Sequence, residues 1–137
     1  MQKIHIKQTT NTPEIIFSPD ENIFLIRGKS SPEDVRALYY PVIEWIKIFV
    51  DDLLDGEYKK FNADNPINLK IDLTYFNSSS AKFLFDILSE LKRIPRDEYP
   101  LIVSWYHDPE DVDMKDAGND IASLVEMDFL YISKPKS

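Results

Sequence analysis

Every second residue is apolar in one central part of the chain, which is the pattern of a β-strand with one buried face. This part is INLKIDLTYF, residues 67–76, where the apolar positions run from Ile67 to Leu73 with polar residues between them. We therefore predict a strand over 67–76 that packs one face on a core.

Shorter apolar runs predict four further strands. Runs at 13–17 and 22–26 flank the turn-forming sequence SPDE, which is the pattern of a β-hairpin. Gly28 is expected to end the second strand of this hairpin. The run PLIVSWY at 100–106 predicts another strand, and FLYIS at 129–133 predicts a short last one.

Apolar residues spaced by three and four predict a long helix over residues 30–54. Ser31 is its predicted N-cap, and Pro32 suits the first helical position. Pro41 lies inside the pattern and removes one backbone hydrogen bond, so we expect a kink near 37–41 or two abutting helices. The apolar face comprises Val35, Leu38, Tyr39, Val42, Ile46, Phe49, Val50 and Leu53.

Two more helices are predicted in the second half of the chain. The first covers 81–94 and is stopped by Pro95. The second covers about 117–127 and follows an acidic loop that begins at His107, while residues 55–66 are predicted to form a loop without regular structure. The apolar face of the first comprises Ala81, Leu84, Ile87, Leu88 and Leu91.

The order of these elements predicts an α/β fold. Strands that alternate with helices favour a layered structure, here a mixed β-sheet of four to five strands with helices packed against it. The strands at 67–73 and 101–106 are joined by a helix, so they should run parallel through a right-handed crossover. The length fits a single domain over 1–137, with its core at about 9–132.

Composition narrows the possible functions. The net charge is −8, from 24 acidic and 16 basic residues, which disfavours binding to nucleic acid or to an anionic membrane surface. The chain has no cysteine, so thiolate nucleophiles, disulfides and cysteine metal sites are excluded. The N-terminal sequence lacks the apolar run of a signal peptide, and no stretch approaches a membrane span, so we expect a cytoplasmic protein.

Three consecutive serines stand where the central strand gives way to a helix, in the sequence YFNSSSAK. The first amide groups of a helix have no intrahelical partner, and the helix dipole favours an anion there. A phosphorylated hydroxyl at residues 78–80 would meet these amides, with Lys82 one turn further on. Alternatively the residues only cap the helix, with Asn77 or Ser78 as N-cap. The residues alone leave both interpretations open.

Several motifs in a fixed order resemble the SiaC family of bacterial regulatory phosphoproteins, whose fold resembles STAS domains. They are TPEIIF, then a glycine, a serine and PE, then YYPVIEW, YFNSSSAK and VSWYHDPEDVDM, and together they span roughly residues 9–130. In that family the residue after the asparagine of the fourth motif, typically threonine, is phosphorylated. The corresponding position here is Ser78, with Ser79 and Ser80 as the next candidates.

The resemblance implies a protein that is switched by reversible phosphorylation and is not itself an enzyme. A partner kinase would phosphorylate it, a PP2C-type phosphatase would reverse this, and the unphosphorylated form would act on a signalling effector such as a diguanylate cyclase. No cofactor is implied. The expected phosphate- and partner-binding surface comprises Asn77, Ser79, Ser80, Lys82, Tyr75, Phe76 and Tyr106.

Other chemistry has weaker signals. The tripeptide GKS at 28–30 lacks the earlier glycine of a phosphate-binding loop, since Ile23 stands at that position. His107 with the acidic residues of 108–116 is the alternative: a small metal-binding protein or enzyme. That segment lacks the spacing of an EF-hand, so the plain interpretation is a solvated loop, and the resemblance favours a partner-docking surface. A third possibility is a passive scaffold in which the serines only cap a helix.

Overall fold

The computed structural model describes residues 1–135, in which six strands and three helices follow one another. The strands are β1 (Ile4–Ile6), β2 (Glu14–Ser18), β3 (Ile23–Ser30), β4 (Ile67–Phe76), β5 (Leu101–His107) and β6 (Leu130–Ser133), and the helices are α1 (Val35–Leu54), α2 (Ser78–Leu91) and α3 (Val112–Val125).

All six strands form one mixed sheet in the order β1-β2-β3-β4-β5-β6. The pairs among β1, β2 and β3 are antiparallel, whereas β3, β4, β5 and β6 are parallel neighbours. The predicted α/β class and the parallel pairing of β4 with β5 are therefore confirmed. The predicted count of four to five strands is too low, because β1 has only three residues, too few to show an alternation.

One face of the sheet carries the core. The alternation predicted in β4 is confirmed, since its apolar positions from Ile67 to Leu73 are buried. Trp105 of β5 is opposite Ile71, so it lies on the same face, where its indole donates to the Met114 carbonyl of α3 at 3.0 Å. Rings of α1 reach this face too, because Phe49 packs on Phe24.

Helix α1 is uninterrupted from Val35 to Leu54, so the predicted alternative of two abutting helices at Pro41 is wrong. Burial of seven side chains of α1 against the core outweighs the one lost hydrogen bond. The predicted N-cap Ser31 is also wrong, since Asp34 caps the helix by accepting from the Ala37 amide at 3.1 Å.

Helix α3 begins at Val112, five residues before the predicted 117, so most of the acidic loop is helical. Asp111 caps it by accepting from the Met114 amide at 3.0 Å. Gly118 lies inside both the predicted and the observed helix. It is buried where a Cβ would lie 2.6 Å from Trp105 Nε1, so the glycine serves close packing rather than a break in the helix.

Strand β3 continues past Gly28 to Ser30, which corrects the predicted end. Gly28 has φ +115, a conformation that favours glycine, and the register with β4 shifts between Gly28 and Lys29. The shift leaves Thr74 of β4 without an opposite residue, and its hydroxyl donates to the Gly28 carbonyl at 3.2 Å. This bulge lies directly before the serine run.

Candidate functional site

The bulge at Thr74 reverses the alternation of β4 just before the strand ends. Tyr75, which would otherwise follow Leu73 into the core, is 50% exposed. Phe76 turns inward instead and meets Trp105 edge to face, with the ring centroids 5.9 Å apart. An aromatic side chain is thereby placed on the surface beside the start of α2.

Asn77 links β4 to α2 and caps the helix. Its backbone is extended, at φ −86 and ψ 173, and its side-chain oxygen accepts from the Ser80 amide at 2.9 Å. Of the two predicted capping residues, Asn77 is therefore the N-cap and Ser78 is the first residue of the helix. The helix lies three residues earlier than the predicted 81–94, at Ser78–Leu91.

The three serines occupy different environments. Ser78 and Ser79 are exposed, whereas Ser80 is fully buried. The Ser80 hydroxyl donates to the Ser30 carbonyl at 3.0 Å and accepts from Ser30 Oγ at 2.8 Å. Because the Ser30 hydroxyl donates its one hydrogen to Ser80 Oγ, the Tyr39 phenol is the donor in its 2.6 Å contact with Ser30 Oγ.

This buried hydroxyl network ties three elements together, namely β3 through Ser30, α1 through Tyr39 and α2 through Ser80. Burial raises the pKa of the Tyr39 phenol, so it remains a neutral donor at physiological pH. Tyr39 also stacks on Phe83 of α2, with the ring centroids 5.5 Å apart. The first turn of α2 is thus held in place on its buried side by β3 and α1. Ser80 is inaccessible to a modifying enzyme as long as this turn is intact.

Ser30 and Tyr39 were not among the predicted site residues, although Tyr39 was predicted on the apolar face of α1. Ser30 precedes Ser80 by fifty positions, and a single serine or tyrosine in an apolar segment carries no pattern. Only the pairing of β3 with β4, which brings the ends of both strands together, reveals the contact.

Two lysines lie near the start of α2, although the chain as a whole is acidic. No acidic residue stands in the first turn of α2. Lys82 lies one turn after Ser78, with its ammonium 4.8 Å from the centre of the Phe83 ring and 2.9 Å from Asp86 Oδ2. The Lys29 ammonium lies 5.9 Å from the centre of the Tyr75 ring. The exposed hydroxyls therefore lie at the positive end of the helix dipole, with Lys82 one turn further along α2.

The structure does not bring every predicted surface residue to this site. Tyr106 follows Trp105 in β5, so it points away from the helices, and its ring lies 5.8 Å from the Lys134 ammonium. Phe76 is half-buried behind the site rather than on its surface. Tyr75, Asn77, Ser79 and Lys82 lie together around Ser78, and Ser80 lies beneath them.

The alternative site at His107 has a different character. The ring Nδ1 of His107 is 3.0 Å from the Asp108 carbonyl, and Asp111 caps α3. No group of three or more histidine, aspartate or glutamate side chains within residues 1–135 is arranged to hold a metal ion.

None of the helices over residues 1–135 is long and apolar enough to cross a membrane.

Comparison with known proteins gives a match over almost the whole chain. Residues 6–134 match the model of the SiaC family of regulatory phosphoproteins. An uncharacterized protein of Pseudomonas aeruginosa (strain UCBPP-PA14) is 32% identical over 108 residues, which is 79% of this chain and 78% of that protein.

Solved structures show the same fold. Apo-SiaC from Pseudomonas aeruginosa superposes with a TM-score of 0.76 at 25% identity, covering 98% of this chain and 99% of that one. SiaC from the same organism has also been solved as the activator bound to the diguanylate cyclase SiaD. That SiaC chain superposes with a TM-score of 0.76 at 24% identity, covering 97% of this chain and 99% of its own.

Proposed function

The chain belongs to the SiaC family of regulatory phosphoproteins, and on this premise we propose that it is a non-enzymatic switch controlled by phosphorylation of Ser78. A partner kinase adds the phosphate and a PP2C-type phosphatase removes it. The unphosphorylated form binds and activates a diguanylate cyclase, by analogy with the SiaC that activates SiaD.

The observation that carries the proposal is the contrast between Ser78 and Ser80. Ser78 is exposed at the first position of α2, whereas the Ser80 hydroxyl is buried and hydrogen-bonded on both sides. A kinase needs an accessible hydroxyl, so the buried serine is disfavoured, and Ser79 remains the second candidate. Ser78 is preferred because it directly follows the asparagine of the family motif.

The surroundings of Ser78 suit a phosphate. A phosphoserine carries about −1.5 to −2 charges at neutral pH. At this position it would meet free amides of the helix start and the ammonium of Lys82, one turn away. The buried network already fixes the turn, so the added charge acts on the surface without refolding the chain. A partner that covers Tyr75 and Ser78 would then have to desolvate a dianion.

The proposal is tested first on protein from its native cells. Intact-mass measurement should find a phosphate adduct that disappears after phosphatase treatment, and peptide mapping should place it on Ser78. A phosphate found only outside residues 78–80 would refute the assignment.

The partner is tested with purified proteins. The full chain, unmodified or carrying phosphoserine installed at position 78 during translation, is added to the diguanylate cyclase of the same organism. The unmodified chain should raise the rate of cyclic-di-GMP formation and the phosphorylated chain should do so far less. Equal activation by both forms would show that Ser78 is not the switch.

A further inference from the structure

Ser78, Lys82 and Asp86 succeed one another at intervals of four residues along one stripe of α2. In the unphosphorylated chain Lys82 pairs with Asp86, with Nζ 2.9 Å from Oδ2. Lys82 therefore stands between the hydroxyl that we expect to be phosphorylated and a carboxylate one turn beyond it.

We infer that Lys82 exchanges partners when Ser78 is phosphorylated: its ammonium moves from Asp86 to the phosphate. The switch then also alters a groove between α1 and α2. This inference rests on the proposed phosphorylation of Ser78 and names how its charge is transmitted.

Two physical features favour the exchange. The phosphate carries up to twice the charge of the Asp86 carboxylate, which strengthens its pairing with an ammonium. The order of the charges matters as well. An acid that precedes a lysine by four residues stabilises a helix better than the reverse order, and Lys82 with Asp86 has the reverse order. The side chain of Lys82 is 69% exposed, so it can turn from one partner to the other.

Asp86 lies in the wall of a groove of about 470 Å³ between α1 and α2. The apolar surface of this groove comes from Tyr40, Ile43 and Phe85, and Tyr40 is 53% exposed. Two other carboxylates in the groove wall form ion pairs that do not involve Lys82. Glu44 pairs with Lys47 at 3.6 Å, and Glu90 pairs with Arg93 at 3.1 Å.

Asp86 differs from those two carboxylates because its cation is the one that a phosphate would attract. Loss of Lys82 would leave an unpaired carboxylate, one-third exposed, beside an apolar surface. Asp86 is eight positions after Ser78 on the helix, a distance of about 12 Å along the axis. One phosphate would therefore change the surface charge at two places, the helix start and the groove.

The test uses the full chain with phosphoserine installed at position 78 during translation and follows the second pKa of the phosphate by phosphorus NMR. Lys82→Gln should raise this pKa by roughly 0.15–0.4 unit, because the dianion loses its ammonium partner. An unchanged pKa would overturn the pairing of the phosphate with Lys82.

The exchange itself is tested by combining two substitutions. Asp86→Asn should lower the phosphate pKa when Lys82 is present, because the competitor for the ammonium is gone. In the Lys82→Gln background, Asp86→Asn should lower the phosphate pKa by less than half of its effect with Lys82 present. Only the loss of the Asp86 charge then contributes, because there is no ammonium to compete for. Glu90→Gln is the matched control, one turn further along the helix. With or without Lys82, it should change the phosphate pKa by less than Asp86→Asn does in the chain that keeps Lys82.

Equal effects of Asp86→Asn in both backgrounds would overturn the exchange. Because the phosphoserine is installed without a kinase, this outcome is distinct from a failure of the proposed function. The latter would appear as an unmodified Ser78 in native cells or as equal cyclase activation by both forms.

Discussion

Ser30 and Ser80 hold each other by two hydrogen bonds across the junction of β3 and α2. Ser30 Oγ donates to Ser80 Oγ at 2.8 Å, and Ser80 Oγ donates back to the Ser30 carbonyl at 3.0 Å. The Asn77 amide donates to the same carbonyl at 3.0 Å. The last serine of the run is therefore part of the interior, so its hydroxyl has a structural role that the exposed Ser78 and Ser79 do not share.

The first prediction concerns the stability that this contact provides. Ser80→Ala leaves Ser30 Oγ as a buried donor without its acceptor, so we expect a loss of about 1–3 kcal/mol in the free energy of unfolding. Ser79→Ala is the matched control and should change stability by less than about 0.5 kcal/mol, since Ser79 is exposed. Urea denaturation followed by circular dichroism measures both. Equal losses in the two variants would contradict a structural role for the Ser80 hydroxyl.

The second prediction concerns the cap. Asn77→Ala removes the acceptor of the Ser80 amide and should cost about 1 kcal/mol of unfolding free energy. Asn77→Asp keeps an oxygen at this place and adds a negative charge at the positive end of the helix, so it should retain the wild-type stability. The measurement is again urea denaturation of the full chain. If the alanine variant is as stable as the aspartate variant, Asn77 does not act as the cap.

The third prediction concerns the contact of α3 with the sheet. A Cβ at Gly118 would lie 2.6 Å from Trp105 Nε1, and this indole is held by its hydrogen bond to the Met114 carbonyl. Gly118→Ala should therefore cost about 1–3 kcal/mol of stability and change the tryptophan fluorescence, despite the better helix propensity of alanine. Asn119→Ala, at the exposed neighbouring position, should be neutral or slightly stabilising. Unchanged stability of the Gly118 variant would mean that α3 packs further from the sheet.

The sequence predicted those elements whose pattern is local. Residues 67–76 were predicted as a strand and form β4 with the same bounds, because alternation and turn signals agree there. The start of α3 was missed because residues 112–116 are mostly charged and show no clear apolar periodicity. This end of the helix is held by the Asp111 cap and by the hydrogen bond between the Met114 carbonyl and the Trp105 indole.

The candidate site was predicted in part for the same reason. The serine run at a helix start and Lys82 one turn further on follow from residues that are neighbours in the chain, whereas the choice of Ser78 comes from the family motif. The bulge that exposes Tyr75 depends on the register of β3 against β4, and the burial of Ser80 depends on Ser30 and Tyr39. Contacts between distant segments leave no periodic trace, so the sequence could not distinguish the three serines.

The last prediction concerns how negative charge at Ser78 changes the affinity of the chain for the cyclase. Phosphorylation that weakens binding of the cyclase by about 2–4 kcal/mol would change its dissociation constant by roughly 30- to 1000-fold. Ser78→Asp supplies one negative charge where a phosphate supplies nearly two, so about half of that free energy is expected, roughly a 5- to 30-fold weakening. Ser78→Ala cannot be phosphorylated and should keep the affinity of the unmodified chain even after incubation with the kinase.

The matched control is Ser79→Asp, which places the same charge one residue further round the helix, out of the stripe shared with Lys82 and Asp86. It should weaken binding less than Ser78→Asp does. Each variant is titrated against the cyclase by calorimetry, and circular dichroism verifies that the fold is retained. If Ser78→Asp and the phosphorylated chain both bind as tightly as the unmodified chain, charge at this helix start does not control the partner. The exposed serines would then be only surface residues of a capped helix, because Ser80 and Asn77 already account for its stability.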